Sequence, residues 1–76
     1  MKELVEHVVR SLVDSPDQVI VDEIDEGQTT RYELRVGQDD LGQVIGRQGR
    51  TARAIRTLLD VAGTKNRRRY FLDIID

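Results

Sequence analysis

Val44-Ile45-Gly46-Arg47-Gln48-Gly49-Arg50 is the stretch that decides how this chain is read. Two glycines three residues apart join a short apolar segment to the start of a longer, arginine-rich one. Gly46 and Gly49 permit positive φ and leave no side chain to hold a ligand away from the backbone. The first amides of a following helix have no partner within it and lie at the positive end of its dipole. Such a loop suits an anion. Arg47 at the loop tip, with Arg50 and Arg53 on the first helical turns, adds cations that can reach neighbouring phosphates.

Reading outward, Gly37 breaks the chain before Asp39 or Asp40, either of which can cap a short helix through about Ile45. Asp40 and Gln43 stand at capping-box spacing, and Leu41, Val44 and Ile45 form the apolar side. After Gly49 a longer helix is expected to about Ala62. Ala54, Ile55, Leu58, Leu59 and Ala62 would face the core, with Gly63 as the carboxyl-terminal cap. Residues 29–36 alternate, Thr30, Tyr32, Leu34 and Val36 against Thr29, Arg31, Glu33 and Arg35, which is the period of a half-buried strand. Residues 18–24 are rich in β-branched side chains and read as its hairpin partner, with Asp25-Glu26-Gly27-Gln28 as the turn. Leu4, Val5, Val8, Val9, Leu12 and Val13 make one stripe of a helix over about residues 2–13, ended by Ser15-Pro16. Residues 69–75 read as a last strand, with Tyr70, Leu72 and Ile74 on one face.

The order is therefore α-β-β-α-α-β, an α+β fold. A helical crossover between two strands of one sheet makes them parallel, so a three-stranded mixed sheet packed against three helices is expected. With no repeat, low-complexity tract or linker, residues 1–76 read as a single unit.

Composition bounds the chemistry. A chain of 76 residues buries only roughly 60% of its unfolded surface. It contains no cysteine and one histidine, His7, so neither a disulfide nor a zinc site is available to reinforce the core. His7 lies off the apolar stripe and reads as a solvated helix residue. No apolar run approaches the roughly 20 residues that span a bilayer, and the start does not resemble a signal segment; a cytoplasmic location is expected. A nucleotide-binding P-loop fails on spacing, because its first glycine would fall at Val44 and its lysine at Arg50. No nucleophile, base and acid are grouped as catalysis needs, so no enzyme activity and no cofactor are expected.

The net charge of −2 conceals a strong asymmetry. Residues 1–46 carry four basic and eleven acidic side chains, whereas residues 47–69 carry eight basic ones against Asp60 alone. Such a chain can offer a basic face to phosphate while its acidic remainder limits indiscriminate binding. Arg67-Arg68-Arg69 reads either as a phosphate-tracking patch, as a solvated strand start, or as a guard on an edge strand.

The loop motif, its placement between two helices and the preceding hairpin together resemble the KH domains, in their type II, prokaryotic arrangement. The resemblance covers essentially the whole chain, and a chain of this length is similar to the small free-standing bacterial KH proteins. It implies that Gly46, Arg47, Gln48 and Gly49 clamp the sugar-phosphate backbone of a short single-stranded RNA, about four nucleotides long, with Arg50 and Arg53 extending the contact. Leu41, Val44 and Ile45 would line or support a groove in which bases lie against the strand of residues 29–36. Core packing is the competing role for these three, favoured for Ile45. With three aromatic residues in all, stacking cannot be the main source of affinity. The resemblance implies an RNA chaperone or post-transcriptional regulator. Its implied partners are single-stranded RNA, a second copy of the chain as a homodimer, and a larger KH-containing bacterial protein. The alternative is a KH-fold dimerisation or protein-docking module in which RNA is secondary.

Overall fold

The computed structural model describes residues 1–75; Asp76 lies outside them. The first apolar stripe forms helix α1 (Lys2–Leu12), which ends where Val13 turns extended ahead of Ser15-Pro16. Val5 and Val9 are buried, but Leu4 and Leu12, expected on the same stripe, are exposed. Each is one position from a residue that faces the sheet, and one position is a rotation of about 100°.

Pro16–Gln18 form one 3-10 turn. That turn takes up Gln18, expected to open the first strand, and Val19 closes it, so β1 is Ile20–Glu26. It pairs antiparallel with β2 (Thr29–Arg35) from Ile20↔Arg35 to Glu26↔Thr29. The reversal is therefore two residues, Gly27 and Gln28, and not the four-residue turn expected, because Asp25 and Glu26 stay in the ladder. β3 (Arg69–Ile74) runs parallel to β2, and the sheet order is β1-β2-β3. The mixed three-stranded sheet and the α-β-β-α-α-β order match the reading of the sequence.

One face of the sheet is covered. Val21 from β1, Thr30, Tyr32 and Leu34 from β2, and Leu72 from β3 are buried, while their alternates are exposed or half-buried. The core they form with Val5, Val9, Val44, Ile55 and Leu59 lies between sheet and helices. Burial first, then the nearby Glu23 carboxylate, keeps the Tyr32 hydroxyl protonated far above the usual tyrosine range. A raised folded-state pKa contributes stability that is complete below the unfolded value of about 10 and lost as pH climbs past it. Alkaline titration of stability should show that loss, and Tyr32→Phe should remove it.

A 3-10 turn (Gln38–Asp40) leads into α2 (Leu41–Ile45), and α3 (Arg50–Asn66) follows the glycine loop. α3 buries Ala52, Ile55, Leu59 and Gly63, whereas Ala54 and Leu58, expected in the core, are exposed. Gly63 is not the cap. The helix continues to Asn66 and closes at Arg67, whose φ of 56° and ψ of 40° are left-handed. The N–H groups of Arg67 and Arg68 donate back to the carbonyls of Thr64 and Gly63, a Schellman closure with arginine where glycine is usual. Gly63 serves instead as a point of close approach. A Cβ there would lie 2.5 Å from the Arg68 carbonyl oxygen, so β3 can leave the helix directly over it. Gly63→Ala should destabilise the fold by about 1–3 kcal/mol through overpacking, measured by denaturant unfolding. No helix of the described residues is long and apolar enough to cross a membrane.

Candidate nucleic-acid interface

α2 closes when the Gly46 N–H donates to the Gly42 carbonyl at 2.8 Å. Gly46 then takes φ 79°, ψ 169°, a region open essentially to glycine alone. Beyond Arg47 the chain passes through Gln48 (φ 58°, ψ 26°) and Gly49 (φ 74°, ψ 15°), both left-handed, into α3. The Gly49 N–H returns to the Gly46 carbonyl at 3.1 Å and the Arg50 N–H to that of Arg47. The loop is thus tied to itself by backbone bonds. Its two glycines have different roles. A Cβ on Gly46 would meet the Thr51 hydroxyl and lie 2.8 Å from the Thr51 nitrogen, whereas one on Gly49 would meet nothing within 4 Å. Gly46 lets the loop fold against α3, and Gly49 leaves its outer side open to a ligand backbone. The left-handed turn at Gln48 had no signal in the sequence.

Arg47, Arg50 and Arg53 are exposed around this loop. The ion pairs among the described residues use Arg10, Arg31, Arg35 and Arg68, so these three guanidinium groups are not neutralised by protein carboxylates. Arg56, one helical turn further, is engaged within the fold and donates to the Leu72 carbonyl at 3.2 Å. The Arg69 N–H donates to the Gln28 carbonyl just before β2 and the Ile75 N–H to the Leu34 carbonyl within it, so by the period of two the polar groups of Leu72 point to the free edge of β3. Arg56 caps that edge.

The apolar candidates separate. Val44 is fully buried, Leu41 is half-buried and Ile45 is 38% exposed. The ranking from the sequence, which favoured Ile45 for the core, is reversed. A single turn of helix cannot turn all three side chains the same way, and Val44 takes the core position. The expected groove against residues 29–36 is also displaced. β2 is the central strand, with Thr30, Tyr32 and Leu34 under the helices, so the strand with a free edge beside α3 is β3.

The profile described as KhpA/KhpB, KH domain matches residues 2–74. The chain belongs to this KH-domain family. The RNA-binding protein KhpA of Halalkalibacterium halodurans is 55% identical to it over 76 residues, all of both chains. That of Borreliella burgdorferi is 51% identical over 74 residues, 97% of this chain and 90% of its own length, and that of Clostridium acetobutylicum is 47% identical over 75 residues, 99% of this chain and all of its own. No solved structure matches the chain. Within the KH frame, Gly46–Gly49 is the G-x-x-G loop, α2 and α3 are the helices it joins, and β2 and β3 are the parallel strands that flank them.

Proposed function

We propose that this KH domain, residues 1–76, binds single-stranded RNA, with Gly46, Arg47, Gln48 and Gly49 clamping the sugar-phosphate backbone of about four nucleotides. The observation that carries this is the loop itself: tied by its own backbone, open at Gly49, and ringed by Arg47, Arg50 and Arg53 without carboxylate partners among the described residues. The relatives' name, RNA-binding protein KhpA, supports the same reading. Arg50 and Arg53 extend the phosphate contact. Ile45 and the accessible part of Leu41 meet bases, and Val44 supports the loop from the core. Since backbone clamping carries little sequence information, binding is broad, as suits an RNA chaperone or post-transcriptional regulator in a bacterial cytoplasm.

A second role is favoured by one feature. Leu58 and Val61 on α3 are 53% and 54% exposed, together with Ala54 one turn earlier. An apolar strip of this kind suits pairing with a second copy or with a KhpB-like KH protein alongside RNA binding.

The test is the double change Arg47→Asp and Gln48→Asp. Aspartate is tolerated in the left-handed region that Gln48 occupies, so circular dichroism should be unchanged. RNA affinity should fall roughly a hundredfold, as expected for about 3 kcal/mol of lost charge-assisted contact and added repulsion. Unaltered affinity would sink the loop reading. Affinity of the unmodified protein should also fall steeply with salt, whereas a flat response would favour the docking role.

A further inference from the structure

At the far end of α3 from the glycine loop lies an open cleft of about 680 Å³, lined by Gln28, Thr64, Arg67, Arg68, Arg69 and Phe71 among others. Among the described residues, Asp60 is the one carboxylate in its lining. The three arginines are not equivalent. Arg68 is committed to the fold, donating to Asp25 at 2.9 Å and to the Thr30 hydroxyl at 2.7 Å. Arg67 and Arg69 are exposed, and no ion pair among the described residues uses either of them. One wall of the cleft is therefore fixed by an internal ion pair while two cations remain available to a ligand.

Arg67 occupies a conformation that glycine takes without strain and arginine does not. Strain of this kind at a non-glycine residue is a pointer to function. A cation at a helix carboxyl terminus also meets the dipole favourably, and the melting temperature of Arg67→Gly separates the two roles. The route between loop and cleft is polar as well. Arg53, Arg56, Asp60 and Thr64 follow one another at i, i+3, i+7 and i+11, which places them along one face of α3, and Arg67 stands just past its end. Arg56 reaches Leu72, so this face borders the free edge of β3. Seventeen helical residues separate the two ends by about 25 Å.

We propose that the cleft formed by Arg67, Arg69 and Phe71 is a second backbone-binding site for the same RNA strand, reached only by strands that run on past the loop along α3. The site takes phosphate on Arg67 and Arg69 and offers Phe71, 49% exposed, as a surface for one base. It rests on the proposed RNA binding by the glycine loop and extends it from a grip on about four nucleotides to a longer footprint.

The experiment compares Arg67→Gly/Arg69→Thr with the unmodified protein, using fluorescence anisotropy on two labelled, unstructured RNAs of about four and about twelve nucleotides. The double variant should bind the long RNA roughly tenfold more weakly, with the salt slope reduced by about 1.4 for two lost phosphate contacts on a single strand. Binding of the short RNA should be unchanged. The charge-preserving variant Arg67→Lys/Arg69→Lys should retain the slope. Arg67→Gly alone should leave the melting temperature unchanged or raised, since glycine relieves the strained position; a clear fall would assign Arg67 to the helix end instead. Unchanged binding of the long RNA, or an equal loss on both RNAs, overturns the second site. The loop reading is judged separately: if Arg47→Asp/Gln48→Asp abolishes binding while the cleft variant does nothing, the loop stands and the cleft falls. If the unmodified protein binds neither RNA, both fall.

Discussion

Gly46→Ala is expected to lower the melting temperature by on the order of 15 °C and to abolish RNA binding together with it, even though it adds one methyl group. Two effects combine. The backbone angles at Gly46, φ 79° and ψ 169°, lie where a residue with a Cβ is strained by roughly 1–3 kcal/mol. The added carbon would also press on Thr51, whose backbone nitrogen would be 2.8 Å away. Thr51 sits in the first turn of α3, so relief requires moving the start of that helix, and the arginines it carries, away from α2. In a domain of this size each kcal/mol is worth roughly 4–8 °C. Gly49→Ala is the control: its φ of 74° is also positive, but a Cβ there meets open space. It should cost only about 1 kcal/mol of stability, while the methyl group on the open side weakens RNA binding with the fold intact. Thermal unfolding and RNA titration of the two variants measure the difference; equal losses would mean that packing against Thr51 is not what makes Gly46 necessary.

Asp40→Ala should cost about 3 kcal/mol, although Asp40 reads from the sequence as a helix cap. Its side chain makes no cap hydrogen bond to α2. Its two carboxylate oxygens instead accept from the backbone N–H groups of Asp14 and Ser15, at 3.2 and 3.0 Å. Asp40 is 3% exposed, so water cannot readily replace it for the two donors. Hydrogen bonds to a charged acceptor contribute about 1.5–3 kcal/mol each, and donors left unpaired away from water add to the loss. Asp40→Asn keeps one accepting oxygen and should lose about half as much. Gln43→Ala, which removes the partner that a capping box would need, should leave stability within about 0.5 kcal/mol. A large effect of Gln43→Ala with a small one of Asp40→Ala, in chemical denaturation, would restore the capping-box reading. Because Asp40 pins the start of α2 to the end of α1, its loss should also loosen the loop that α2 carries.

Where the sequence was legible, local physics was enough. The alternation from Thr29 to Val36 could bury one face only, and Thr30, Tyr32 and Leu34 are the residues buried. A helical crossover made β2 and β3 parallel. The glycine spacing marked the loop, and the segmental charge marked the half of the chain that carries the free arginines. Periodicity misplaced those residues whose surroundings are set by another element. Gly63 follows an apolar run and resembles a stop, but the helix continues because β3 crosses at that point and needs a residue without a side chain. Arg56 belongs to the basic run by composition, yet its partner is a carbonyl on a strand sixteen residues away. Leu58 has the spacing of a core residue and lies on the side of α3 that faces no other layer.

The order of elements, the parallel and antiparallel pairings, the glycine loop between two helices and the sign of the charge around it can be read from the chain alone, because each follows from propensity, period or chain connectivity over a few neighbouring residues. That Val44 is core while Ile45 is open, that Asp40 holds the chain at the end of α1, that β3 and not β2 borders α3 with a free edge, and that Arg68 is bound while Arg67 and Arg69 are not, emerges with the packing of distant elements. Each of these depends on which atoms from distant parts of the chain arrive at one place, and burial and pairing at such a place are properties of the packed whole.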